Sequence, residues 1–219
     1  MKPLLQANSL CRETAEGQPL LEGISLTIQP RDRIAVQGPA GSGKTLLLRA
    51  LALLDPTSAG NLLWRQEPVP NGDVPSFRSQ VAYLPQTPAL ADGTVETNLR
   101  LPFSLGIYDN RAYDESRVVG LLGRLGKDAD FLTRPVVALS GGERQIVALV
   151  RLVQLEPTIL LLDEPTAALD PATTTAAQNL IEEWMAAESS RAFVWVSHDD
   201  QQAQAVSRQR IRMSEGRIE

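Results

Sequence analysis

IAVQGPAGSGKTLLLRALALL, residues 34–54, sets an apolar strand pattern directly before a glycine-rich turn and an apolar helical pattern directly after it. Within it GPAGSGKT, residues 38–45, satisfies G-x-x-x-x-G-K-[ST] in the strand–turn–helix context that the motif requires. Gly38, Gly41 and Gly43 let the backbone wrap closely around phosphate oxygens, and Pro39, Ala40 and Ser42 complete the loop. The free N–H groups where the helix starts, predicted over Lys44–Leu54, add a positive dipole end. Lys44 is expected to reach the β- and γ-phosphates of a bound triphosphate, and Thr45 to give its hydroxyl to Mg²⁺.

Outward from this stretch, apolar runs bounded by turn signals predict buried strands at Ile24–Ile28, Val81–Leu84, Ile159–Leu162 and Phe193–Val196. Helical patterns alternate with them, near 114–125, at Gly141–Leu155, at Ala172–Ala187 with Pro171 suited to its first turn, and at Asp199–Ser207. The alternation predicts an α/β fold with a mainly parallel central sheet. The first thirty residues read as short strands around a turn-rich loop, a small antiparallel layer. Strand signals nearly vanish between Gln86 and Leu155, so a helical subdomain is expected over approximately 87–155, within a single domain spanning 1–219.

Composition narrows the function. The chain has 219 residues, 43% of them apolar, enough for a substantial core. Its formal net charge is -5 and it has no Lys/Arg run, which disfavours nucleic acid as a partner. One cysteine, Cys11, cannot form an internal disulfide, and no secretory leader pattern opens the chain, so a cytoplasmic location is expected. No apolar run approaches the roughly 20 residues that cross a bilayer. Any membrane role must come through a partner.

Two adjacent carboxylates, Asp163 and Glu164, end the apolar run of TILLLDEP. Neighbouring side chains of a strand face opposite ways, so the two can take separate roles: Asp163 in holding Mg²⁺ and Glu164 in polarising an attacking water. His198, the only histidine, ends FVWVSH, and Gln86 ends VAYLPQ. A lone histidine is also at home in a structural hydrogen bond, and a glutamine in a loop. Position at the carboxyl ends of parallel strands, where such sheets hold ligands, favours His198 as a γ-phosphate contact and Gln86 as a Mg²⁺ ligand near the water.

LSGGERQ, residues 139–145, offers a second anion site, with Ser140 as N-cap and Gly141 and Gly142 opening a helix. Alone it also describes an ordinary capped helix. A chain that already carries one triphosphate loop has no internal use for another, but the site makes sense if it serves the ATP of a second molecule.

GPAGSGKT, Gln86, LSGGE, LLLDEP, the ALD at 168–170 and His198, in this order, resemble the ATP-binding cassette of ABC transporters over essentially the whole chain. The resemblance implies a P-loop ABC-ATPase fold with a RecA-like core, an antiparallel β subdomain and a helical subdomain. It implies ATP and Mg²⁺ as cofactors and a head-to-tail dimer with a second copy, each ATP lying between one P-loop and the opposite LSGGE. Ser140 and Gly142 then touch the partner's γ-phosphate, and Asp170 lies in a loop crossing the interface. The 21 residues after His198 leave no room for a C-terminal regulatory domain, so a minimal cassette is expected, held to the cytoplasmic face of the inner membrane by a separate integral-membrane permease. In the family the permease contact lies beside the Gln86 loop; Leu90, Leu99, Leu101, Phe103 and Leu105 are candidates for it or for core packing. QTPALADGTVETNLRLPF resembles most the ATP-binding subunit of a small two-gene bacterial type linked to iron export, with relatives linked to aluminium tolerance.

Three positions depart from the family pattern. NSLCRETAEG lacks the aromatic that stacks on adenine, with Cys11 or Arg12 nearest its place; Arg12 could stack its guanidinium there or be a surface arginine. Ile146 stands where an arginine usually follows LSGGERQ, and Ala168 where a serine often precedes LD. Two other functions fit the sequence less well. A soluble ABC ATPase acting on nucleic acid or ribosomes fits poorly with the acidic charge and the lack of coiled-coil insertions, and a small-molecule kinase leaves LSGGE and His198 without a role.

Overall fold

A computed structural model describes residues 2–219. In chain order its elements are β1 (Leu5–Glu13), β2 (Pro19–Ile28), β3 (Arg33–Gln37), α1 (Lys44–Leu51), β4 (Ala59–Trp64), β5 (Glu67–Pro68), α2 (Val74–Gln80), β6 (Val81–Leu84), α3 (Val95–Arg100), α4 (Glu115–Arg124), α5 (Gly141–Val153), β7 (Ile159–Asp163), α6 (Pro171–Ala187), β8 (Ala192–Val196), α7 (Asp200–Val206), β9 (Gln209–Ser214) and β10 (Arg217–Ile218). The chain divides into two compact units. One comprises residues 1–85, 158–164 and 189–219, and the other residues 86–157 and 165–188.

The first unit holds both sheets. A four-stranded antiparallel sheet runs β2-β1-β4-β5, and a six-stranded sheet runs β10-β9-β3-β8-β7-β6, parallel except for the β9–β10 hairpin. Ile34, Val36, Ile159, Leu161, Val194, Val196, Ile211 and Met213, on one face of the large sheet, join a single core with Leu47, Leu48 and Leu51 of α1 and with Leu5, Leu10, Leu21 and Ile24 of β1 and β2. α1 is thus the apolar filling between two sheets, which is why LLLRAL carries leucines on more than one side. It ends at Leu51 rather than running to Leu54, because Leu53 takes a positive φ of 53°. Asp55 follows, bound bidentately by Arg49 at 2.6 and 2.7 Å and also by Arg12 of β1. Arg12 is therefore an ion-paired tie between β1 and the end of α1, not a free surface arginine.

The parallel register sets the site. Val36 pairs with Val196, and Val196 with Asp163, so β3, β8 and β7 end side by side.

The second unit is helical; among the described residues 86–157 contain no strand, only an isolated bridge between Thr94 and Pro135. Its inner faces carry Val95, Leu99, Val118, Leu121, Leu122, Phe131, Ile146, Val147, Val150, Leu180 and Trp184, all buried. Leu99 is fully buried in that core, whereas Leu101 and Leu105 are exposed. Asn98, also fully buried, fastens the segment after Gln86 to α3: its Oδ1 accepts from Ala91 N at 2.8 Å, and its Nδ2 donates to the carbonyls of Ala91 and Thr94 at 2.9 and 3.0 Å. Among the described residues no helix is long and apolar enough to cross a membrane.

Candidate functional site

β3 delivers the chain into the loop 38–43, and the loop can close only through glycine. Gly38 has φ 149°, and a Cβ there would stand 2.2 Å from the Met213 carbonyl oxygen of neighbouring β9. Lys44, nearly buried at the first turn of α1, folds back over the loop and donates from Nζ to the carbonyls of Gly38 and Pro39 at 2.9 and 2.8 Å. Burial lowers its pKa, and the nearby Glu164 and Asp163 carboxylates partly oppose that shift. Pro39, Ala40 and Gly41 are exposed, while Ser42 is buried.

At the end of β7 the carboxylates separate as strand geometry demands. Asp163 is buried, and its Oδ2 accepts from the Thr45 hydroxyl at 2.7 Å and from the Tyr83 phenol at 3.1 Å. Burial and the Asp163 charge raise the Tyr83 pKa, so the phenol keeps its proton and remains a donor. Tyr83 is a part of the site that the sequence reading missed; the signal was a polar-tipped aromatic one residue before the end of VAYL. Glu164 turns the other way. Its φ is 48°, its N–H donates to the Val196 carbonyl at 3.1 Å, and its Oε1 lies 2.5 Å from His198 Nε2. β7 and β8, ending together, thus bring Glu164 and His198 into contact. The side chain of His198 is half exposed.

Gln37, the last residue of β3, donates to Asp200 Oδ1 at 2.5 Å and so ties that strand to the start of α7. A cleft of about 580 Å³ opens beside these residues, lined by Gly38, Pro39, Ser197 and His198 together with Arg210 and Arg212 of β9.

The remaining expected residues belong to the second unit. Gln86 is its first residue, and the structure leaves it at the start of the segment that Asn98 holds. Ser140 is the N-cap of α5 and forms a full capping box: its hydroxyl accepts from Glu143 N at 3.2 Å, and its own N–H donates to Glu143 Oε2 at 3.0 Å. Gly141 is exposed, and Gly142 is packed so tightly that a Cβ would lie 2.7 Å from the Ala168 carbonyl oxygen. Asp170 caps α6, its Oδ1 accepting from the Ala172 and Thr173 N–H groups at 3.0 Å each and its Oδ2 from the Thr173 hydroxyl at 2.6 Å. These bonds lower its pKa.

The arrangement of Thr45 and Asp163 suits a hard divalent cation. An exposed hydroxyl and a buried carboxylate converge at the open end of the sheet, and no group of three His, Cys, Asp or Glu gathers anywhere among the described residues. Mg²⁺ is held in this manner, by one or two protein oxygens supplemented by substrate phosphates.

Comparison with known proteins gives the following. A family model described as ABC transporter matches residues 21–167. The chain is 34% identical over 197 residues to the "Probable iron export ATP-binding protein FetA" of Escherichia coli (strain K12), covering 90% of this chain and 85% of that protein. It is 32% identical over 204 residues to the "Fe(3+) ions import ATP-binding protein FbpC 3" of Rhodococcus jostii (strain RHA1), covering 92% of this chain and 57% of that longer relative. Its fold matches the ATP-binding cassette MJ0796, solved as a dimer in a post-hydrolysis state with ADP and Pi, with a TM-score of 0.87 at 23% identity over 98% of this chain and 96% of that one.

Proposed function

This chain belongs to the ABC transporter family, as an ATP-binding subunit and ATPase, and from that premise we propose that it powers a separate membrane permease by closing head to tail on ATP with a second copy of itself. The observation that carries the reading is the alignment of strand ends. The glycine loop, the Thr45–Asp163 pair and the Glu164–His198 pair all stand at the carboxyl ends of β3, β7 and β8.

In this reading the N–H groups of residues 38–45 and Lys44 cradle the phosphates, and Lys44 exchanges its loop carbonyls for phosphate oxygens. Thr45 and Asp163 would hold Mg²⁺, which would supply neutralisation of phosphate charge. Glu164 orients and polarises the attacking water for in-line displacement, and His198, in contact with Glu164, steadies the carboxylate and reaches the γ-phosphate. Ser140, Gly141 and Gly142 present N–H groups and the dipole end of α5 to the nucleotide of the other copy, and Asp170 lies in the loop crossing between copies. Each site then needs two chains.

Leu101, Leu105 and Ile107, exposed by 44, 54 and 43% within seven consecutive residues, support docking of the permease there and hence attachment at the cytoplasmic face of the membrane. The cargo is set by the permease. FetA is named for iron export and FbpC 3 for Fe(3+) import, so we infer a metal ion, iron first, as cargo. Transport by the co-expressed permease that does not depend on any metal would discard this.

The test of the shared site uses Glu164→Gln, which keeps ATP and Mg²⁺ binding while slowing hydrolysis. Light scattering should report a monomer without nucleotide and a dimer with Mg-ATP, and Ser140→Arg should abolish the shift. A monomer at saturating ATP would sink the shared-site reading.

A further inference from the structure

The turn before α5 carries a cluster of charges that the roles above leave unused. Glu143, the third residue of α5, has both carboxylate oxygens engaged. Oε2 serves the capping box with Ser140, while Oε1 accepts from Arg134 Nη1 at 2.6 Å and from Lys127 Nζ at 3.1 Å. The Glu143 side chain is 16% exposed, against 24% for Lys127 and 41% for Arg134. Buried Phe131 lies beneath both cations, with its ring centroid 5.1 Å from Lys127 Nζ and 5.5 Å from Arg134 Cζ. An aromatic face and a carboxylate therefore confine each cation from two directions. The Arg134 backbone is anchored as well, since its carbonyl accepts from Val95 N at 3.0 Å.

A capping box needs one oxygen of Glu143. The second oxygen, bound to two cations on a separate anchored segment, adds nothing to the cap but fixes the rotation of the carboxylate. Through the Ser140 N–H···Oε2 bond, that rotation sets where the Ser140 hydroxyl and the following glycine N–H groups point. The cap alone would leave the turn free to rock as a unit; the two cations pin it to the loop that Phe131 and Arg134 belong to.

We propose that Lys127 and Arg134 are positioning residues for the Ser140–Gly142 turn, holding it through Glu143 in the orientation that completes the nucleotide site of the second copy. The inference rests on the shared-site reading given above. Neither cation touches nucleotide in this scheme. Their loss leaves ATP binding by a single chain, which depends on residues 38–45, intact and weakens the closed dimer.

The experiment compares Arg134→Met, Lys127→Met and Glu143→Gln in the Glu164→Gln parent, with the double variant Arg134→Met/Glu143→Gln. Glutamine retains an oxygen for the Ser140 N–H and removes only the charge, which separates capping from pinning. Three quantities are read: the dimer dissociation constant in Mg-ATP by sedimentation, the affinity of the monomer for a fluorescent ATP analogue, and Tm. Each single variant should weaken the dimer roughly two- to fivefold, as expected for a partly exposed ion pair. Monomer affinity should stay near that of the parent in every variant, and Tm should stay near it in Lys127→Met and Arg134→Met, whereas Glu143→Gln also lowers Tm through loss of the carboxylate's own stabilisation. The double variant should be no worse than the weaker single, because both changes remove the same contact, and Arg134→Lys should recover most of the loss. Dimerisation equal to the parent's in the single variants, full additivity in the double, or a parallel fall in Tm in Lys127→Met or Arg134→Met would overturn the proposal. A parent that fails to dimerise at all would overturn the shared-site reading and this inference with it.

Discussion

Glu164 sits at φ 48°, a conformation that costs a residue with a side chain roughly 1 kcal/mol or more and persists because its surroundings hold it. The Val196 carbonyl on one side and His198 on the other are those surroundings. Glu164→Gln keeps the shape and the hydrogen-bonding reach but removes the base, so hydrolysis should fall about 10²- to 10⁴-fold with ATP affinity unchanged; steady-state phosphate release and equilibrium nucleotide titration check the two halves. A second residue-scale prediction concerns acid stability. Hydrogen bonding from the Ser140 backbone, followed by Lys127 and Arg134, pulls the Glu143 pKa from 4.5 to about 2, against the opposing effect of burial. A carboxylate with a depressed folded-state pKa stabilises the fold fully above its unfolded value and loses that contribution as pH falls through its folded value. Glu143→Gln should therefore be less stable than the native chain at neutral pH, and the gap should close between about pH 4.5 and 2. Urea melts across that range measure it, and a gap independent of pH would show that the charge is not involved.

At the scale of elements, the loop 38–43 is bounded by backbone rather than by flexible side chains. Gly38→Ala would drive its Cβ into the Met213 carbonyl, so either β9 or the loop must shift, and a loss of about 2 kcal/mol or more is expected together with weaker nucleotide binding. Denaturant unfolding and ATP titration of the one variant test both. Much at this scale was readable from residues alone. β3, β6, β7 and β8 are continuous apolar runs because they are buried on both faces, and that signal survives without tertiary context. β4 was not readable: AGNLLW is half exposed and forms a strand only because it pairs with β1. β9 carried a usable signal in the alternation Arg210, Ile211, Arg212, Met213, with the two apolar residues buried; charged outer positions hid it. α2 and α3, seven and six residues long, are too short to show a helical period and are held by their neighbours. The site followed the same division. Strand-end residues were legible as motifs, whereas Tyr83, Asn98 and the Arg134–Glu143–Lys127 cluster emerge only when distant segments meet.

For the whole molecule, the expected output of ATP closure must leave through a surface that touches something else. Three of the five exposed large apolar side chains among the described residues lie within residues 101–107. Leu101→Ser with Leu105→Ser should leave the basal hydrolysis of the isolated chain unaltered and reduce co-purification with the permease and permease-stimulated hydrolysis. Pull-down and ATPase assays on the reconstituted pair decide it, and unaltered assembly would place docking elsewhere.

The strand order carries a consequence for how the chain is made. β3, which leads into the phosphate loop, has β8 and β9 as its only neighbours, and both lie far downstream of it in the chain. About 150 residues separate β3 from β8, so at 5–20 residues per second a ribosome leaves β3 without either neighbour for roughly 8–30 s. Throughout that interval a bare apolar strand is open to wrong partners, and no nucleotide can help fold it. The ATP-binding loop therefore acquires its shape well after its own residues have been made.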